Sequence, residues 1–316
     1  MPMSFSSDVK SELAKQIASP RHCRLSELLA LLLGCGAVSR SEDGVYTVFL
    51  QADAEAQGRK FFTILKKAFN IEASVLDKVP PMHSGGKVYV PVLQGKEEIS
   101  SILKSINIVD DDDNIRTVDD GVSHRIVRQS CCKRAFLRDT FLCIGSVSDP
   151  SKSYHLEFVC TSQRFADDLK QMIESFDIEA RIVMRKKYYV VYIKESTAIV
   201  DLLNVMEAPV SLMNMENERI VKEMRNSINR RVNCETANIT KTVNAASRQT
   251  TDILYLRDHY GFENLPKGLE DMARVRLQYP DATLLELGRY LDPPVGKSGV
   301  NHRLRKLSEL AERLRE

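Results

Sequence analysis

The strongest constraint in the 316-residue sequence is that much of it is written twice. The stretch Leu28–Ser39 (LLALLLGCGAVS) aligns with Leu137–Ser148 (LRDTFLCIGSVS), and Cys23-Arg24 then falls on Cys132-Lys133. Downstream, Tyr46–Leu50 matches Tyr154–Phe158, Phe69–Ala73 matches Phe176–Ala180, and Lys87–Val90 matches Lys187–Val190. Matches in the same order with short insertions define a repeated structural unit, which must be identified before any fold is assigned.

Each copy reads alike. An apolar helix ends at a glycine, as suits a helix C-terminus. A strand follows (Val45–Leu50; Tyr154–Cys160). The next helix has Phe61, Leu65, Ala68 and Phe69 on one face, or Phe165, Leu169, Met172, Ile173 and Phe176. A hairpin is expected from Glu72–Leu76 with Lys87–Leu93, and from Glu179–Met184 with Tyr188–Ile193. A closing helix carries Ile99, Ile102, Leu103 and Ile106, or Ile199, Leu202, Leu203 and Val205. The acidic run Asp110–Asp113 between the copies is read as a solvated linker rather than a metal site, because consecutive carboxylates point in different directions.

A twice-built β-surface with two glycine-ended helices side by side resembles the LAGLIDADG homing-endonuclease fold. The resemblance implies that the two motif helices pack at a pseudo-twofold axis, here with Ala30, Gly34 and Gly36 against Cys143 and Gly145. It also implies that a metal-binding acid precedes the last glycine of each motif. Cys35 and Ile144 occupy those positions, so both are degenerate nuclease positions. A hydrolytic Mg2+ site needs oxygen ligands, and isoleucine has none. Asp139 lies two turns from the place required. No catalytic residue and no enzyme activity are therefore expected.

The last third differs. From Glu218 the chain turns basic and Asn-rich, with Ile220, Met224, Ile228, Val232, Ile239 and Val243 at helical spacing. So many asparagines are poor helix formers. Two readings stay open: a helical connector, or a segment whose Arg225, Asn226, Asn229, Arg230, Asn233 and Lys241 touch nucleic acid. Beyond Leu265 three helices are expected. The first runs over Lys267–Gln278, the second is capped by Thr283 with Glu286, and the third starts near Ser298. In the third, Val300, Leu304, Leu307, Ala311 and Leu314 share one side. Lys297, Ser298, Asn301, His302, Arg303, Arg305 and Lys306 carry the polar surface, with no acid from Lys297 to Ser308. This is the pattern of a helix-turn-helix whose third helix enters a DNA major groove. Ser298, Asn301, His302 and Arg305 are expected nearest the bases, and Arg303 and Lys306 nearest the phosphates.

Composition limits the alternatives. Hydrophobic residues at 43% permit packed cores, and no run approaches the roughly 18 apolar residues of a membrane span. Seven cysteines without a Cys-x-x-Cys pair are not a disulfide framework, and vicinal Cys131-Cys132 is not metal spacing. No metal, no cofactor and a reducing cytoplasmic setting are expected.

The segments MRNSINR (224–230), NCETAN (233–238) and KSGVNHRLRKL (297–307), with CCKR (131–134), closely resemble the WhiA family of bacterial sporulation and cell-division regulators. The resemblance spans essentially the whole chain. It implies an α+β fold of duplicated LAGLIDADG-type repeats followed by an all-α helix-turn-helix domain. It further implies a sequence-specific transcriptional regulator that binds double-stranded DNA, is nucleoid-associated in the cytoplasm, and affects sporulation, cell division and chromosome segregation. The expected divisions are an N-terminal arm (1–19), repeat 1 (20–107), an acidic linker (108–129), repeat 2 (130–207), a basic connector (208–260) and the DNA-binding domain (261–316, motif about 275–308). Protein partners in transcription or division are a further expectation. The alternative is an active homing endonuclease or RNA maturase, and the residues at 35 and 144 argue against it.

Overall fold

The computed structural model describes residues 4–84 and 86–315. They divide into two compact units, one reaching Lys222 and one starting at Glu223.

The first unit opens with α1 (Phe5–Leu13), whose first turn is capped by the Ser4 hydroxyl accepting from the Ser7 amide. Repeat 1 follows as α2 (Arg21–Cys35), β1 (Gly36–Arg40), β2 (Tyr46–Gln51), α3 (Glu55–Phe69), β3 (Met82–Ser84), β4 (Lys87–Gly95) and α4 (Glu97–Ser105). Repeat 2 has the same order: α5 (Ser130–Ile144), β5 (Gly145–Val147), β6 (Leu156–Cys160), α6 (Gln163–Glu174), β7 (Arg181–Arg185), β8 (Tyr188–Ile193) and α7 (Ser196–Val205). The two antiparallel sheets have matching strand orders, β1-β2-β4-β3 and β5-β6-β8-β7. The duplication legible in the sequence is thus a duplication of topology.

Three local details differ from the sequence expectation. First, α2 and α5 end at Gly36 and Gly145 as expected, but neither glycine takes the left-handed conformation common at helix ends. Both are extended (φ −109° and −86°), and each begins a short strand that the sequence pattern did not reveal. A side chain at Gly36 would place its Cβ 2.8 Å from the Leu32 Cα, and one at Gly145 would collide with the Phe141 ring. These glycines let the chain pass from helix to strand against the helix's own last turn, rather than pack across the seam. Second, Glu72–Leu76 is not a strand. The Leu76 amide donates to the Pro91 carbonyl at 2.8 Å, but ladder pairing resumes only at Met82 opposite Tyr89. Pro80 and Pro81 intervene without N–H donors, so they cannot continue a ladder. Third, the acidic run lies at the surface as expected, with Asp111 and Asp112 exposed, but the linker on either side of it is packed. Ile108, Val109, Val122, Ile126 and Val127 belong to the core. The Asp110 carboxylate accepts from the amides of Asp112 and Asn114, and Asp113 pairs with Arg40 and Lys104.

The seam between the repeats is α2 against α5. A Cβ on Gly34 would sit 2.5 Å from the Cys143 Cβ, so only glycine allows this approach. Deeper in the seam lie four charges. Lys60 and Asp139 are ion-paired, Glu27 lies 3.9 Å from Lys60, and Arg138 donates to Glu27 at 2.6 Å. The side chains of Glu27, Lys60 and Asp139 are 0% exposed and that of Arg138 is 3% exposed. Two cations and two anions balance, which is the condition for burying charge at tolerable cost.

Helix α8 (Pro209–His259) is a single 51-residue helix. Its start contributes Met215 to the core of the first unit, and its end contributes Ile253 and Leu256 to that of the second. Every residue from 223 to 245 is exposed, including the five asparagines and the apolar stripe. Each asparagine costs a helix less than ~0.7 kcal/mol, and anchoring at both ends offsets that.

In the second unit α8 is followed by α9 (Lys267–Gln278), α10 (Leu284–Arg289) and α11 (Lys297–Arg315). The Thr283 amide donates to the Glu286 carboxylate at 2.8 Å, and the Glu286 amide donates back to the Thr283 hydroxyl at 3.4 Å. Val300, Leu304, Leu307 and Ala311 are buried with Leu287, Leu291, Met272 and Ala273, whereas Leu314 is 40% exposed. Gly288 faces the Val295 carbonyl so closely that a side chain there would overlap it. The loop after α10 is thereby folded back against the helix. Among the described residues no helix is long and apolar enough to cross a membrane.

Candidate nucleic-acid interface and the degenerate catalytic apex

Helix α11 sorts its residues by face. While Val300, Leu304 and Leu307 anchor it, Lys297, Ser298, Asn301, His302, Arg305 and Lys306 are exposed. At about 100° per residue, Ser298, Asn301, His302 and Arg305 fall within an arc of roughly 100°. Arg305 lies 3.2 Å from Glu309 in an exposed, exchangeable i,i+4 pair. Arg303 is only half-exposed. Its guanidinium lies over Gly268 at the start of α9, where a Cβ would be 3.4 Å away. It therefore sits at the edge of the polar face, where α11 meets the start of α9.

The second set, Arg225, Asn226, Asn229, Arg230, Asn233 and Lys241, is exposed along α8. It occupies a face beside the apolar stripe of Val221, Ile228, Val232, Ile239 and Val243. The fold does not merge this set with the α11 face. Arg248 of α8 pairs with Glu312 near the far end of α11, and Arg225 lies about 35 Å further back at 1.5 Å per residue. Sequence reading missed a stacked tyrosine pair, Tyr279 and Tyr290, with ring centroids 4.3 Å apart. Both are partly exposed at the ends of α9 and α10. Their separation by 11 residues carries no signal until the helices pack.

The apex, where α2 and α5 end, holds no acid at the motif positions. Cys35 is buried, its thiol donating to the Leu31 carbonyl, and the Cys143 thiol meets it at 3.4 Å. That hydrogen bond and burial push the Cys143 thiol well above its usual pKa. A cavity of about 530 Å3 opens beside Gly34, Gly36, Cys143 and Ile144, with Lys87, Arg116, Tyr89 and Tyr188 also on its wall. None of its lining residues is an aspartate or glutamate. The nearby acid of the second motif helix, Asp139, is committed to the buried network. Burial pushes its carboxyl up to about 7, against the opposing pull of Lys60.

At the opposite, N-terminal ends of α2 and α5, the fold assembles His22, Cys23, Cys131 and Cys132. Chain spacing could not show this group, because its halves lie more than 100 residues apart. The alignment of Cys23 with Cys132 was the available hint.

Three family models match the chain: a WhiA N-terminal LAGLIDADG-like domain over residues 21–109, a WhiA LAGLIDADG-like domain over 133–225, and a WhiA C-terminal helix-turn-helix domain over 228–311. The protein named "Probable cell division protein WhiA" from Lachnoclostridium phytofermentans is 49% identical over 99% of this chain and 100% of its own length. The protein of the same name from Desulforamulus reducens is 42% identical over 99% of this chain and 97% of its own. The crystal structure of full-length DUF199/WhiA from Thermatoga maritima shares the fold, with a TM-score of 0.57 and 24% identity over 98% of this chain and 99% of that one. With relatives this similar along nearly its entire length, the chain belongs to the WhiA family.

Proposed function

We propose that this chain is a sequence-specific, double-stranded-DNA-binding transcriptional regulator of cell division, linked to sporulation and chromosome segregation and associated with the nucleoid. Its LAGLIDADG-like domain is catalytically inactive in this reading. The observation that carries the proposal is the division of labour on α11: buried leucines hold the helix while its first three turns present an exposed, acid-free polar face. Ser298, Asn301, His302 and Arg305 are assigned to base edges, Lys297 and Lys306 to phosphates, and Arg303 to the rim where α11 meets α9. Arg225, Asn226, Asn229, Arg230, Asn233 and Lys241 are assigned to a second, backbone-tracking contact. The inactivity assignment rests on Cys35, Ile144 and the carboxylate-free cavity beside them. A hard divalent cation finds no carboxylate ligand in that lining.

Genome-wide mapping of bound sites, followed by affinity measurements on a recovered site and on scrambled DNA, tests the reading. A lost bidentate base contact costs roughly 1–3 kcal/mol at one position. Arg305→Ala should therefore flatten the preference for the recovered site. Lys306→Ala should weaken both DNAs alike and reduce the salt slope by about one. Sequence-specific binding that survives the double change Asn301→Ala with Arg305→Ala would overturn the groove assignment.

A further inference from the structure

Helices α2 and α5 begin with the same pattern. In each, the second and third residues carry metal-ligating side chains: His22 and Cys23 in α2, Cys131 and Cys132 in α5. The repeat alignment superposes Cys23 on Cys132, and hence His22 on Cys131. The pseudo-twofold seam brings the two pairs face to face. The four donor atoms all lie within 4.8 Å of one another. The His22 Nδ1 is 3.1 Å from the Cys132 Sγ and 3.4 Å from the Cys23 Sγ. A tetrahedral zinc with Zn–S bonds of ~2.3 Å needs donor–donor edges of ~3.8 Å. The observed cluster meets this with small side-chain adjustments.

We propose that His22, Cys23, Cys131 and Cys132 form a structural Zn2+ site that staples the two repeats together at the N-terminal ends of their motif helices. Three thiolates and one imidazole are a soft donor set that selects zinc over the hard cations a nuclease would use. Four protein ligands close the coordination sphere and leave no position for substrate, so the role is structural. Binding displaces the three thiol protons, and His22 ligates through neutral Nδ1. Zn2+ with three thiolates carries one net negative charge. The surroundings suit it: neither helix has a side-chain N-cap bond or an acid in its first turn. The cluster therefore lies at the positive ends of both helix dipoles, with no first-turn carboxylate in either helix competing for them. Cys23 and Cys132 are buried beside Ala135, while His22 and Cys131 lie at the surface, which provides an entry path. The Ser26 hydroxyl, one turn on in α2, bonds the Ile126 carbonyl at 3.0 Å and fixes the chain beneath the site.

The test uses the full chain, purified reduced and without chelator. Elemental analysis should find about one zinc per chain. Co2+ added to the stripped protein should give the intense visible bands of tetrahedral thiolate coordination. Cys131→Ser and Cys132→Ser should each weaken zinc binding, measured against a chromophoric chelator, by more than the roughly 10–100-fold that loss of a supporting residue costs. Cys234→Ser, exposed on α8, should leave it unchanged. Cys131 is exposed, so its variant remains informative even if Cys132→Ser does not fold. Substoichiometric zinc with only the pale spectrum of octahedral Co2+ would overturn the proposal. So would zinc affinity unaltered in both Cys131→Ser and Cys132→Ser.

Discussion

Replacing Lys60 by methionine isolates the energetics of the buried charge network. The Lys60 side chain is fully buried, pairs with Asp139, lies 3.9 Å from Glu27 and donates to the Leu13 carbonyl at 3.2 Å. Methionine keeps the volume and removes the charge. The Asp139 carboxylate, one oxygen of which already has no partner, then loses its principal counter-charge. Breaking a buried pair this way costs about 3–5 kcal/mol, a large share of the ~5–15 kcal/mol that holds a typical domain. Removing both partners, Lys60→Met with Asp139→Leu, eliminates the orphan charge. The double variant should recover all but ~1–2 kcal/mol, the remainder reflecting the lost Lys60 hydrogen bond to the Leu13 carbonyl, which keeps its bond from the Gln16 amide. The pH dependence has a definite sign. Burial raises the folded Asp139 pKa from 3.8 to about 7, so the folded state holds this proton more tightly than the unfolded chain. Asp139's contribution is fully present below pH 3.8 and is lost as pH rises through about 7. Without Lys60 the folded pKa rises further and the loss extends to more alkaline pH. Lys60→Met should therefore be less damaging at pH 5 than at pH 8. The chain has no tryptophan, so urea unfolding followed by circular dichroism is the assay. Single variants whose losses simply add in the double, or a Lys60→Met loss that is the same at both pH values, would refute the reasoning.

Gly34→Ala should cost about 1–3 kcal/mol by forcing α2 off Cys143, and Cys143→Gly should restore part of it, as read by thermal melting. Gly288→Ala should loosen the second unit by driving a Cβ into the Val295 carbonyl, and should lower affinity for all DNA sequences alike in a filter-binding series. Leu304→Ala, 1% exposed, should destabilise the second unit by about 2–5 kcal/mol while leaving the unfolding of the first unchanged. Purified protein with Mg2+ or Mn2+ should leave supercoiled DNA uncut; metal-dependent nicking abolished by a change beside Cys35 or Ile144 would reverse the assignment.

Local periodicity made much of this molecule legible in its sequence. The helix faces of α3, α6 and α9, the Thr283–Glu286 cap and the apolar side of α11 all depend on residues within a few positions of one another, and the repeat is the recurrence of such local patterns about 100 residues on. The exposure of Lys297, Ser298, Asn301, His302, Arg305 and Lys306 belongs to the same class, because burial of Val300, Leu304 and Leu307 turns the opposite side of the helix outward. Periodicity, however, states which residues share a face and not what covers it. Val232 and Ile239 on α8 have the same helical spacing as the buried leucines of α11, yet remain 51% and 64% exposed. Strand pairing depends on which amides are available opposite a partner, so β3 begins after Pro80-Pro81 rather than at Glu72. Contacts between distant segments depended wholly on tertiary structure. Lys60 meets Asp139 across 79 residues, and His22 meets Cys132 across 110. Those partners are chosen by the packing of α2 on α5, where Gly34 lets two backbones approach closely enough for charges and thiols from separate repeats to share one interior.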